Sequence, residues 1–392
     1  MTDNVDVLII GGAIMGSSLA WWLTRDPGFG GRVVVIERDP SYAYAATSLS
    51  HSSIRQQFGQ AINVRISQFG AAFLRDIRDW MGPEAPPIPI RSDGYLYLAD
   101  TPAFADALRQ AQALQAGLGA ATRLLGPDQA AAEWPYLCFD GIALASHNPV
   151  DEGAFDGIAL FDLFRRQARA QGAHYVTGEV AGLTRDRDRI TAATLTDGTS
   201  YAPGIVVNCA GTRGAQVAAM AGLSLPVEPR ARFSYVFDAA EPLPGPLPLT
   251  IDPAGVHVRP EGGGFLAGYV PRPDLPRDPE DFTIDHAVWE DAVWPILATR
   301  IPAFERIRLR RTWVGHYDYN RLDRNAVLGP HPEVANFLFC NGFSGHGLQQ
   351  SPAIGRGLAE WIVDGGWRTL DLSGLGYERV ALNRPLIERA VI

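Results

Sequence analysis

The chain has 392 residues, 46% of them hydrophobic and 20% charged, enough apolar material to bury a large core and to divide into two domains. Its 34 basic and 43 acidic residues leave a net charge of -9, and no Lys/Arg-rich run or basic-aromatic stripe stands out. Surfaces built to neutralise phosphates are thereby excluded, so no nucleic acid partner is expected.

Cys138, Cys209 and Cys340 are far apart and make no C-x-x-C pair, which predicts no metal site and a reducing, cytoplasmic setting. The opening "MTDNVDVLII" carries acids where a signal peptide has bases, and Asp6 and Gly11-Gly12 break the apolar stretch. Neither a signal peptide nor a transmembrane segment is predicted.

In chain order, residues 5–10 form a nearly unbroken apolar run, the pattern of a parallel strand covered on both faces. "GGAIMGSSLAWWL" then switches to helical spacing, Asp26, Pro27 and Gly28 end that helix, and "RVVVIE" supplies a second strand ending at Glu37. The turn between strand and helix reads Gly11-Gly12-Ala13-Ile14-Met15-Gly16. Together these make the dinucleotide fingerprint, in which amides at a helix N-terminus receive a pyrophosphate and the terminal acid accepts from the adenosine ribose. Ala13 stands where the second glycine is usual, so a negative φ is predicted there. A second fingerprint for NAD(P)H is missing, since "EGGGFLAG" lies in strand-like sequence without a matching acid. One dinucleotide, FAD, is the simpler count.

A polar stretch at 46–59 precedes a helix with Ile66, Phe69, Phe73, Leu74 and Ile77 on one face, broken by the prolines of 83–89. Residues 90–100 read as a hairpin, and 102–117, 127–134 and 155–171 as helices. A strand at 173–176, a hairpin at 191–201 and a strand at 204–211 return to the nucleotide-binding sheet. Residues 226–311 alternate strand-like pieces with proline-rich turns and one helix at 287–297, the pattern of an antiparallel sheet. A last strand at 336–342 leads to a terminal helix at 351–363 with Pro352 near its start. Between them Gly342, Gly345 and Gly347 would let amides approach a flat ligand at a helix N-terminus. The alternative is a tight turn only, with His346 on the surface.

"VLIIGGAIMG" with Glu37, "VVNCAG" at 206–211 and "GFSGHGLQQSPAIGR" at 342–356 resemble the D-amino-acid oxidase superfamily of FAD enzymes, which includes glycine oxidase, sarcosine oxidase and dimethylglycine dehydrogenase. With "TSLSHSSIRQQF" and "TWVGHYDYN" added, the chain is similar to a subgroup of FAD-dependent oxidoreductase-domain proteins linked to assembly of respiratory complex I. The resemblance implies an α/β protein: a discontinuous Rossmann-like FAD-binding domain (1–84, 150–222 and 312–392) and an antiparallel-sheet α+β substrate domain (85–149 and 223–311). The flavin would lie at their interface.

Carried over by position, Gly11, Gly12, Ala13, Ile14, Met15 and Gly16 match the pyrophosphate loop, and Glu37 and Arg38 the adenosine end. Thr47, Ser48, Ser50 and His51 match the loop beneath the flavin, Val180 the adenine contact, and Ala210 and Gly211 the turn beside the pyrophosphate. Gly345, His346, Gly347, Leu348 and Gln349 match the segment at the pyrimidine edge of the flavin. Arg55 matches an arginine that pairs with the substrate carboxylate in sarcosine oxidases. Several positions depart from the family. Tyr317 replaces the carboxylate-clamping arginine of glycine and D-amino-acid oxidases, while Gln349 and Leu266 replace the carboxylate-binding and oxygen-activating lysines of sarcosine oxidases. Gly315 replaces a flavin-linked cysteine, and His51 lies one residue beyond the flavin-linked histidine of dimethylglycine dehydrogenases.

The resemblance thus implies oxidation of a CH-NH bond in a small amino acid or N-substituted amine by hydride transfer to flavin N5, with an electron acceptor other than oxygen. A 2-hydroxy-acid dehydrogenase and a low-turnover assembly flavoprotein are the alternatives. Candidates to manage protons are His51, His346, His257 and His316. Arg55 and Arg232, with Arg259 third, suit a substrate carboxylate, and Tyr269, Tyr317, Tyr235 and Tyr319 suit an aromatic wall. Ordinary ion pairing or core packing is the alternative for each.

Overall fold

The computed structural model describes residues 3–389. The strand β1 (Asp3–Ile10), the helix α1 (Ile14–Arg25) and β2 (Val33–Glu37) form the expected βαβ unit, with Asp26 capping the helix C-terminus. Leu8, Ile9, Val34 and Val35 have no solvent exposure, as their unbroken apolar runs require. A short β3 (Ser53–Ile54) precedes α2 (Ala61–Arg75) and α3 (Ile77–Met81), which turn Ile66, Phe73, Leu74 and Ile77 inward.

The predicted hairpin at 90–100 is instead a single strand, β4 (Tyr95–Ala99). The amides of Arg91 and Gly94 bond to the carbonyls of Ala154 and Glu152, so the Asp93-Gly94 turn passes the chain between elements instead of reversing it. Then come α4 (Pro102–Gly117), β5 (Arg123–Leu125), α5 (Pro127–Glu133), β6 (Leu144–Asn148), β7 (Gly153–Ala154) and α6 (Gly157–Ala170). The Asp156 side chain accepts from the Ala159 amide, which starts α6 two residues later than its apolar pattern suggested.

β8 (His174–Thr177), β9 (Val180–Asp186), β10 (Arg189–Leu195), β11 (Ser200–Asn208) and α7 (Gly214–Met220) follow, of which β8, β10 and β11 answer to expected strands and β9 and α7 were not expected. Next are β12 (Val227–Ala239), β13 (Leu249–Ile251), β14 (Val256–Glu261), β15 (Gly264–Tyr269) and α8 (Trp294–Arg300). The helix expected at 287–297 opens as a wide π turn over Trp289–Val293, because Pro295 has no amide to continue the ordinary ladder. β16 (Ile307–Asn320), β17 (Val327–His331), β18 (Val334–Asn341), α9 (Gly347–Asp364) and α10 (Glu378–Ala381) complete the described chain. α9 begins four residues before the predicted Ser351, so Pro352 lies inside it. The Ser351 hydroxyl, 2.9 Å from the Leu348 carbonyl, replaces the hydrogen bond that proline cannot donate.

One sheet runs β17-β18-β11-β1-β2-β8, with β10 and β9 continuing from β11. From β18 to β8 its pairs are parallel. The other runs β16-β12-β15-β14-β13-β4-β6-β5 and is antiparallel except at β13-β4. This is the expected mixed α/β architecture. One expected boundary is corrected: the division at 311/312 would cut β16, which pairs with β12 from Ile307 to Asn320 and belongs wholly to the second sheet.

Helices α1 and α9 pack without a spacer beneath the first sheet. A Cβ on Gly355 would lie 2.2 Å from Ser18 Oγ, and that hydroxyl donates to the Ser351 carbonyl at 2.7 Å. Trp22 Nε1 donates to the Pro352 carbonyl at 3.0 Å. Forcing a side chain into this contact by Gly355→Val is expected to cost about 2 kcal/mol. Urea unfolding checks it: the midpoint should fall with the slope unchanged.

Candidate cofactor and substrate site

The two sheets meet around a cavity of about 340 Å³. Of the residues expected at a cofactor, Gly11, Ala13, Ile14, Met15, Glu37, Arg38, Thr47, Ser50, His51, Val180, Ala210, Gly211, Gly315, Gly345, His346, Gly347, Leu348 and Gln349 line it, and Gly12, Gly16 and Ser48 do not.

The turn after β1 fits a dinucleotide. Gly11 has φ of +103°, and a Cβ there would sit 2.3 Å from the Cys209 carbonyl oxygen. A Cβ on Gly16 would sit 2.0 Å from the Gly11 carbonyl oxygen, so backbone touches backbone at both positions. Ala13 has φ of -69°, as its methyl group requires. Neither N-cap residue, Ala13 for α1 or His346 for α9, makes a side-chain cap; only the Thr47 hydroxyl, 3.3 Å from the Ile14 amide, reaches the first turn of α1, and both first turns border the same cavity. Such ends favour a pyrophosphate and an electron-rich ring edge. At the end of β2 the Glu37 carboxylate accepts from the amides of Gly12 and Asp39, both at 2.9 Å. Burial raises its pKa against the pull of those amides.

The glycine segment before α9 is held by Asp318, an acid the sequence reading passed over inside the strand pattern "GHYDYN". Its carboxylate accepts from the amides of Gly342 at 2.9 Å and Phe343 at 3.1 Å, and its carbonyl from Ser344 at 3.1 Å. Burial nonetheless pushes the carboxyl up to about 6. Gly342 and Gly345 have φ of +78° and +92°, and a Cβ on Gly345 would come within 2.3 Å of the Tyr317 ring. Of the two readings of this segment, a surface His346 is excluded, since that residue is 3% exposed.

Arg55 donates from Nη2 to His346 Nε2 at 2.8 Å. A guanidinium can only donate, so Nε2 keeps its lone pair and His346 is the neutral Nδ1-H tautomer. Phe58 at 4.5 Å, Tyr95 at 5.7 Å and Tyr97 at 6.0 Å surround the cation. Burial works against its charge, and the Tyr97 and Tyr95 phenols and the buried Glu388 carboxylate outweigh it. Tyr95, Tyr97 and Glu388 were not legible as site residues, because each reads as an ordinary strand or tail position.

His51 lies with Nδ1 3.0 Å from His257 Nε2 and Nε2 2.8 Å from Ser234 Oγ. Ser234, Gly268 and His257 stand abreast on β12, β15 and β14, and a Cβ on Gly268 would strike His257 at 2.2 Å. Burial, with His257 and Arg259 adding to it, drives His51 well below its ordinary pKa. Burial and the Arg259, Arg55 and Arg232 charges push His257 down to about 3. Both rings are neutral near pH 7.

Arg232 lines the cavity, but its fork is filled by Asp274 at 3.0 and 3.1 Å while its cation lies over the Tyr317 ring at 4.5 Å. Arg259 lies outside the lining, paired with Glu261 and with the His51 carbonyl. Tyr269 and Tyr317 line the cavity. Tyr235 packs in the core on Trp289 at 4.9 Å, and Tyr319 lies under Arg230 at 5.1 Å. His316 donates from Nε2 to the Asp281 carbonyl at 2.9 Å and stacks on Phe282 at 4.5 Å. It thereby anchors a loop over residues 271–286 whose Glu280 pairs with Arg38 at 2.7 Å and with Arg213. That loop reads in the sequence as a proline-rich turn with no sign of what it covers. Among the described residues no group of His, Cys, Asp and Glu could hold a metal ion, and no helix is long and apolar enough to cross a membrane.

A nucleotide turn at one end of the cavity and a caged guanidinium at the other, with two sheets as walls, mark a flavoenzyme of the oxidoreductase class. Residues 6–361 match the DAO family, FAD dependent oxidoreductase, and the chain belongs to that family. It is 38% identical over 426 residues to FAD-dependent oxidoreductase domain-containing protein 1 of Xenopus laevis, covering 100% of this chain and 85% of that one. Mitochondrial sarcosine dehydrogenase of Mus musculus is 24% identical over 385 residues, covering 93% of this chain and 40% of that one. Among solved structures, L-proline dehydrogenase from P. horikoshii matches with a TM-score of 0.84 at 25% identity, covering 97% of this chain and 99% of that one. The cofactor is FAD.

Gly11→Ala is expected to purify with far less FAD per chain than wild type, read from the visible spectrum after gentle isolation. For Asp318 the folded pKa of about 6 lies above the ordinary 3.8, so its contribution to stability is complete below about pH 4 and is lost as pH rises through 6. Relative to Asp318→Asn, wild type should therefore lose up to about 1.4 kcal/mol per pH unit between those limits. Denaturant titrations of both proteins check this, and a pH-independent difference contradicts it.

Proposed function

We propose that the protein oxidises a CH-NH bond in a small, carboxylate-bearing amine and passes the electrons to an acceptor other than oxygen. The observation that carries this reading is Arg55, a guanidinium 4% exposed that lines the same cavity as the nucleotide turn. A planar fork suits a carboxylate, and the position of Arg55 resembles that of the arginine that pairs with the substrate carboxylate in sarcosine oxidases. Sarcosine and L-proline, named for two of the similar proteins, are both secondary amines bearing a carboxylate, which supports this substrate class.

Bound FAD supplies the hydride acceptor. The chain's residues supply binding, orientation and charge. The first turns of α1 and α9 would hold the cofactor, residues 3–84, 150–222 and 321–389 would form its domain, and residues 85–149 and 223–320 would cover the substrate. His51, His257 and His346 offer hydrogen bonds without adding cations. Arg55, Arg232 and Arg259 disfavour an ammonium near them, so the substrate amine is held neutral, the form that releases a hydride. The apolar Leu266, 3% exposed, and the amide of Gln349 provide no ammonium with which to draw in oxygen.

Under anaerobic conditions, N-methylated and cyclic amino acids are expected to bleach the flavin, and 2-hydroxy acids and amines without a carboxylate to leave it yellow. Bleaching by hydroxy acids alone assigns the enzyme to that class, and no bleaching by any metabolite favours an assembly role. Reoxidation should be faster with a dye acceptor than with oxygen. Arg55→Met is expected to raise KM for the carboxylate substrate roughly 30-fold or more, the cost of removing one member of a buried charge pair.

A further inference from the structure

Glu152 is a carboxylate with no solvent exposure that does not line the cavity. Burial pushes it up to about 7, although amide donors crowd around it. A chain gains nothing by burying such a group unless it holds something in place.

What it holds is the segment carrying Arg55. The Phe155 amide bonds to the Ser52 carbonyl at 2.9 Å, and Ser53 and Ile54 pair with Ala154 and Gly153 in an antiparallel ladder. At Arg55 the ladder stops. Beyond it Glu152 Oε1 accepts from the amides of Gln56 at 2.6 Å and Gln57 at 3.1 Å, so a side chain continues the pairing where backbone ends. The Arg55 amide itself is taken by Gln349 Oε1 at 2.8 Å, from the first turn of α9. Arg55 is therefore clamped on both sides through its backbone, by α9 and by the turn between β6 and β7.

The clamp is braced in turn. Glu152 Oε1 also accepts from Asn148 Nδ2 at 2.9 Å, and Oε2 accepts from Gln57 Nε2 at 2.9 Å. Gln57 Nε2 further donates to the Tyr95 carbonyl at 3.0 Å, and its Oε1 accepts from Ser146 Oγ at 2.8 Å. The next residue, Gly153, has φ of +146°, and a Cβ there would lie 1.8 Å from the Arg91 carbonyl oxygen. The turn is shaped so that the acid points at the Arg55 segment.

We propose that Glu152 is a positioning residue that fixes the aim of the Arg55 guanidinium by binding the amides of Gln56 and Gln57. The inference rests on Arg55 as the carboxylate anchor. Glu152 touches neither cofactor nor substrate, and removing it leaves two buried amides unpaired and frees the segment to turn.

The test titrates FAD-loaded protein with pyrrole-2-carboxylate and with uncharged pyrrole, reading Kd from the flavin absorbance. In Glu152→Ala the carboxylate ligand is expected to bind about 10-fold more weakly, while pyrrole affinity and FAD content stay as in wild type. Glu152→Gln keeps an oxygen toward both amides and should recover most of the affinity. Equal weakening of both ligands, or loss of FAD, makes Glu152 merely structural and overturns the proposal, as does an unchanged preference for the carboxylate ligand. Should Glu152→Ala fail to fold, Glu152→Asp, one methylene too short, carries the same selective loss. Arg55→Met separates the two readings. If it retains the carboxylate preference, or if wild type shows none, the Arg55 anchor fails and takes this inference with it. If it abolishes the preference and Glu152→Ala does not, Glu152 alone is refuted.

Discussion

The contact between α1 and α9 governs the site. The two helices leave the strands β1 and β18 at the same end of one parallel run of a sheet, and Gly355 against Ser18 lets them lie side by side, with side chains of α1 donating to backbone carbonyls of α9 across the seam. Their N-termini therefore open on the same space, although 333 residues separate Gly347 from Ile14. A single dinucleotide can then span two partial positive charges that no local motif could bring together. Pro352 sits within this seam without breaking α9, because the Ser351 hydroxyl takes the Leu348 carbonyl that proline leaves without a donor, while the carbonyls of 351 and 352 accept from Ser18 and Trp22 of α1.

Around that frame the charges are arranged by burial more than by pairing. Three imidazoles that titrate near neutrality in water are held neutral: His51 and His257 by desolvation, His346 by a guanidinium that uses up its lone pair. Two carboxyls, Asp318 and Glu152, are shifted the other way, to about 6 and about 7, and both spend their oxygens on backbone amides of loops. The groups with ordinary solution pKa values closest to neutrality thus contribute fixed dipoles, and the acids shape the polypeptide. Fixed positive charge at the Arg55 end of the cavity is left to arginines.

The first forty residues were legible because each local signal, strand period, glycine turn and terminal acid, describes contacts within one βαβ unit. The glycine segment was legible as a turn, but its purpose was not. Its determinant, Asp318, lies in a different strand, and nothing in "GHYDYN" distinguishes an acid that bonds amides from one that faces water. The hairpin expected at 90–100 and not found has the same origin, since Asp93-Gly94 is a genuine turn signal whose partners, at 152 and 154, come from about sixty residues on. Arg232 shows the converse. Its type and position suited a carboxylate, and only the fold reveals that the carboxylate is Asp274, already in the chain.

The loop over 271–286 springs from the second sheet and grips both parts of the molecule: Glu280 reaches Arg38 and Arg213, and Phe282 lies between Tyr44 and the His316 of β16. Its ionic half is solvent-exposed and weakens as ionic strength rises, whereas its aromatic half does not. The loop is therefore held at two points, of which only one loosens in concentrated salt.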